Sequence, residues 1–231
     1  MWNRVTIRWI SPLCLALTYE TLHRFVRSSA TYRLPDFAVR RRSLGWAMNG
    51  VLVCAAVTCF ASFGWGMERF FTKPGPMSSG ERLIRLLGIL FGGLHLWQLV
   101  SARLDGPGFG LAGVALYLLS LGLFWWSIQA NAQRPLAWAF RDCQAEHLVR
   151  QGPYRWVRHP FYSSYVLAWL AGAVATQSLI LLATALTMAA IYAKAAALEE
   201  RRFLEGPLAR SYEEYRQTTG RFCPKVWGSY S

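Results

Sequence analysis

The sequence predicts an all-α integral membrane protein with five to six transmembrane helices, a C-terminal helical hairpin and a pocket on the cytoplasmic side. Three observations predict it. Of the 231 residues 54% are hydrophobic, and they gather into stretches of about 20 residues, enough to cross a hydrocarbon core of roughly 30 Å. The charged residues are pushed into the segments between those stretches. The last apolar block, residues 161–197, is 37 residues long and flanked on both sides by polar, basic chain, as a hairpin requires.

Residues 9–22 form a short apolar run, either a first span or an interfacial helix. Residues 23–43 are polar and basic and end in Arg40, Arg41 and Arg42. Spans are predicted over 44–66 and 84–100, separated by a Pro/Gly/Ser-rich loop at 73–80. A tight turn, Asp105-Gly106-Pro107-Gly108, leads into a span over 109–130. The polar segment 131–160 is too charged to enter lipid. The block 161–197 folds back near Ala175-Thr176-Gln177-Ser178, and Pro160 suits a first helical position, where its missing N–H costs nothing. Two regions follow, a variable membrane region over 1–108 and a core over 109–231.

The net charge is +13, from 25 Lys+Arg against 12 Asp+Glu. No nucleic-acid motif accompanies it. Retention of basic loops on the cytoplasmic side and attraction to anionic headgroups account for the excess, so nucleic acid is not an expected partner. With six crossings the hairpin's polar flanks fall on the basic, cytoplasmic side, although residues 24–42 place six cations opposite. The five cysteines form no Cys-x-x-Cys pair and no metal-like cluster, which predicts no metal site. Within the spans, His95, Trp97 and Gln98 either line a cavity or make interhelical hydrogen bonds, and Gly92-Gly93 reads as close helix packing.

The chemistry concentrates in two polar clusters. One runs Glu146-His147-Leu148-Val149-Arg150-Gln151-Gly152-Pro153-Tyr154 and on to Arg158-His159-Pro160-Phe161-Tyr162. The other holds Glu199-Glu200-Arg201-Arg202-Phe203, Tyr212, Tyr215 and Arg221-Phe222-Cys223-Pro224. Arg158 and His159 precede the helix that enters the membrane, and Glu199 and Glu200 end the one that returns. A basic and an acidic cluster therefore meet at the lipid–water boundary, where such charges are costly unless paired or bound to something. A ligand carrying both a cation and an anion suits that arrangement.

These motifs, with the hairpin spacing between them, resemble the isoprenylcysteine carboxyl methyltransferase family, and the related membrane phospholipid N-methyltransferases share much of the pattern. The resemblance covers about residues 110–226. It implies a methyltransferase that uses S-adenosylmethionine on a lipophilic small-molecule or lipidated acceptor dissolved in the bilayer, with carboxyl O-methylation of an isoprenylcysteine-like substrate expected first. N-methylation of a lipid headgroup amine is the alternative, and a non-enzymatic membrane protein retaining the fold is the reading from another class.

Position by position, the resemblance implies that Glu146, His147, Leu148 and Val149 line the adenosine, with Gly152 and Tyr154. His159, Pro160, Phe161 and Tyr162 shape the pocket around the methionine part. Glu199, with Glu200 beside it, meets the ammonium end, and Arg158 pairs with a carboxylate, so that Arg158, His159 and Glu199 form the expected catalytic set. Two departures stand out. The histidine falls one place later than in the family's His-x-Leu-Val, and the substrate-contacting Arg four residues before the first Glu is Ala195 here. Lys194 is the nearest cation and the candidate for substrate binding, but one residue on a helix is a rotation of about 100°.

Overall fold

Among the described residues four helices are long and apolar enough to cross a membrane; five or six are expected over the whole chain. In the computed structural model, the described residues are 37–72, 79–102, 104, 107–132, 136–137 and 148–225. The 9–22 run and the 23–36 stretch lie outside them. Helix α1 is Phe37–Phe70, α2 is Ser79–Ser101 and α3 is Pro107–Ala130. The hairpin is α4, Pro160–Thr176, and α5, Leu179–Glu205, and a last amphipathic helix, α6, is Ala209–Thr218. At 17 residues α4 covers about 25 Å, short of a full crossing. Helix α1 starts earlier than its apolar span, taking Arg40–Arg42 into its first turns. Its 34 residues reach about 51 Å, so its basic end extends beyond a hydrocarbon core.

The all-α expectation holds except for a minimal parallel pairing of Phe71–Thr72 with Leu136–Ala137. That pairing brings the end of α1 to the side where α3 ends and α4 begins, and the Phe71 ring meets Phe161 at 5.3 Å.

Antiparallel register is legible from polar contacts inside the bundle. Ser120 Oγ donates to the Ser164 carbonyl at 2.7 Å across α3 and α4. Further along the same pair, Gly113 faces Ala171 and Ala175 so closely that an added Cβ would lie 2.5 Å from that of Ala175. Between α4 and α5, Trp169 Nε1 donates to Tyr192 Oη at 3.4 Å, and one full offset later Tyr162 meets Glu199. The hairpin turns on two residues. Gln177 takes the left-handed conformation that ends α4 (φ 53°), and the Ser178 side chain caps α5 by accepting from the Leu181 N–H.

His95 is fully buried and bonds Tyr117 Oη at 2.6 Å, an interhelical link between α2 and α3. Gly172 on α4 makes room for it, since a Cβ there would lie 2.1 Å from the imidazole Nε2. Close packing thus falls at Gly113 and Gly172. At Gly92 and Gly93, the expected packing pair, an added Cβ would meet nothing within 4 Å. Trp97 faces outward, 62% exposed.

The exposed tryptophans form two levels. Asn49 donates to the Ala102 carbonyl, which sets Trp46 near the Trp97 end of α2. Trp65 packs on Trp125 at 5.7 Å, beside exposed Trp126. From Trp46 to Trp65 along α1 is about 28 Å, the span between two interfacial aromatic belts.

Candidate cofactor site at the hairpin mouth

The site is built where the Gly152–Arg155 turn, the start of α4, the end of α5 and the chain after α6 converge. Gly152 has φ 61°, a conformation open to glycine, and its Cα faces Ala130 and Trp126 at the end of α3. Gln151 donates to the Ala130 carbonyl at 3.1 Å, and Asn131 donates to Tyr154 Oη at 3.0 Å. These contacts seat the turn on α3 and aim residues 156–159 across the hairpin mouth.

The chain after α6 then lies parallel to that segment. The Arg158 N–H donates to the Gly220 carbonyl at 2.8 Å, and the His159 N–H donates to Arg221 at 3.1 Å. Ser163 Oγ donates to the Phe222 carbonyl at 2.8 Å. Tyr215 Oη donates to the Tyr154 carbonyl at 2.6 Å, and burial pushes its pKa up to about 12, so the phenol keeps its proton. Tyr212 is buried with its ring stacked on Phe203 at 4.7 Å.

At the centre is Glu200, 3% exposed. Arg158 Nε donates to it at 3.0 Å, His159 Nε2 lies at 3.1 Å, and Arg221 grips both of its oxygens. Arg158 Nη1 donates to the Arg216 and Thr219 carbonyls. A buried carboxylate with this many charge-assisted donors is a closed hub.

Glu199, one residue earlier, faces elsewhere. It accepts from Tyr162 Oη at 2.7 Å and lies 3.2 Å from His159 Nδ1, with its side chain 26% exposed. The imidazole thus stands between two carboxylates. Burial pulls the His159 pKa down, but hydrogen bonds to both glutamates and their charges outweigh it, and the net shift is upward. Beyond Glu199, toward the bundle, are three tyrosine rings. Tyr162 stacks on Tyr192 at 5.5 Å, and Tyr165 packs 5.5 Å from Tyr192.

The structure therefore brings Arg158, His159, Tyr162, Glu199 and Glu200 together, with Pro160 as the first residue of α4 and Phe161 turned to the α3 side against Phe124. Leu148, Val149, Gly152 and Tyr154 lie on the adjoining turn. Glu146 and His147 lie outside the described residues. Lys194 is exposed, apart from the cluster, and Ala195 is fully buried. Among the described residues there is no group of His, Cys, Asp and Glu that could hold a metal ion. The contribution of Arg221 to the hub could not be read from sequence. Its motif is visible, but its contact depends on the tail crossing back over residues 156–159.

One comparison with known proteins bears on this geometry. Residues 109–211 match the family model described as Phospholipid methyltransferase. The match covers less than half of the chain and includes most of the motifs that carry the resemblance. The matched stretch runs from the start of α3 into α6 and contains Arg158, His159, Glu199 and Glu200. Arg221 lies beyond it. Nothing among the curated proteins matches the chain.

Proposed function

We propose that this chain is an S-adenosylmethionine-dependent methyltransferase acting at the cytoplasmic face of a membrane on a lipophilic acceptor dissolved in the bilayer. The observation that carries this reading is the division of labour between neighbouring glutamates. Glu200 is closed by Arg158, His159 and Arg221, whereas Glu199 stays partly open above a wall of tyrosines. An open carboxylate beside aromatic faces suits a cation that must be held without being quenched. When bound, S-adenosylmethionine supplies an electrophilic methyl group on a sulfonium. The chain's own residues hold and orient: Glu199 faces the cationic part, Tyr162 fixes the Glu199 carboxylate, and Leu148, Val149 and Tyr154 border the nucleoside. Positioning and exclusion of water are the main catalytic contributions for such a transfer.

The acceptor is better read as an amine than as a carboxylate. The α5 position that would carry a substrate-binding Arg is buried Ala195, and Lys194 faces away. From Pro160 to Thr176 α4 bears no charge, so the bundle side of the pocket offers an anionic acceptor no counter-charge. An amine must lose a proton before attack. His159 lies between two carboxylates and Glu199 is committed to Tyr162 and the cofactor's cation, so the amine loses that proton to water before it attacks.

The test is transfer of labelled methyl from S-adenosylmethionine to farnesylcysteine and to phosphatidylethanolamine in mixed vesicles. Base-stable label in the amine lipid is expected. Base-labile label, released as methanol from farnesylcysteine alone, would restore the carboxyl reading, and no transfer to either would remove both.

A further inference from the structure

The charged groups at the hairpin mouth differ sharply in what they have left to offer. The Arg158 side chain is 8% exposed, with Nε on Glu200 and one terminal nitrogen on two carbonyls. The His159 side chain is also 8% exposed, with a carboxylate at each ring nitrogen. Two neighbouring cations are spent on main chain: Lys225 donates to the Arg216 and Gln217 carbonyls, and Arg150 donates to Ser211 over the Tyr215 ring. Arg221 differs. Its side chain is 43% exposed, with Nε and one terminal nitrogen on Glu200, so of the two arginines that hold this carboxylate it is the one open to solvent. Its main chain is meanwhile fixed beside His159. The cluster thus keeps one open anion, Glu199, and one open, anchored cation, Arg221, on either side of the closed His159–Glu200 pair.

We propose that Arg221 receives the carboxylate of the cofactor's amino-acid end, while Arg158 holds Glu200 and the tail in place. This assignment rests on the methyltransferase reading above. A planar guanidinium with one edge already committed still presents N–H donors to a second carboxylate, and its attachment to Glu200 restrains it in that orientation. Arg158 is then a positioning residue, and the chain after α6 supplies part of the binding site itself.

Calorimetric titration of the full chain in lipid nanodiscs separates the possibilities, with S-adenosylmethionine and its decarboxylated analogue as probes. The wild type is expected to prefer the carboxylated ligand about tenfold or more. In Arg221→Ala that preference falls close to one while the decarboxylated analogue binds as before, and Arg221→Lys recovers part of it. Equal loss of both ligands in Arg221→Ala, in protein with wild-type thermal stability, would assign Arg221 to structure alone and overturn the proposal. Unchanged preference would overturn it too. Failure of the wild type to bind either ligand would remove the methyltransferase reading and this assignment with it, which distinguishes the two.

Discussion

At the scale of single residues, Glu199 and Glu200 show how a rotation of one helix step separates two tasks. Glu200 turns inward and is held by Arg158, His159 and Arg221. Removing it leaves the buried Arg158 guanidinium without its carboxylate, a change that costs about 3–5 kcal/mol. Thermal unfolding in detergent should therefore show Glu200→Ala strongly destabilised, with Glu199→Gln close to wild type. His159 adds a pH dependence. Its folded pKa lies above the usual 6.5, so the stability it contributes is complete below that value and is lost as pH rises through the raised pKa. Thermal stability should fall as pH rises from 6.5 through that raised pKa, and His159→Asn should flatten that decline. The sequence brought the two glutamates to the site through the hairpin spacing. It could not say which one is open, because that depends on the facing residues of α4 and the tail.

The hairpin is the element on which the site depends. Its fold-back was legible in Ala175-Thr176-Gln177-Ser178, and the structure puts the left-handed residue and the helix cap at Gln177 and Ser178. The lower reach of the first helix was not legible, since Arg40–Arg42 read as a polar break while helical hydrogen bonding passes through them. Glycine roles were equally hidden. A Gly-Gly pair attracts attention in a span, yet the close approach is at Gly172, opposite His95. Gly172→Ala would force the imbedded imidazole and its Tyr117 bond to move, with an expected loss of about 1–3 kcal/mol. Gly92→Ala should be near neutral by the same thermal measurement, because open space surrounds it.

At the scale of the whole molecule, the bundle places its charged hub at one end and exposed tryptophans at two levels. The polar segments on both sides of the hairpin meet there, and the family match covers the helices that carry them. A water-soluble cofactor and a membrane-dissolved acceptor could meet at such a mouth without either crossing the bilayer. The central claim is that the mouth binds S-adenosylmethionine through Glu199. Its most direct test is calorimetric titration of S-adenosylmethionine into the purified protein in nanodiscs, beside Glu199→Gln. Micromolar binding that weakens about tenfold or more in the variant is the predicted result. Absence of binding to folded wild-type protein, or equal affinity in the two proteins, would contradict it.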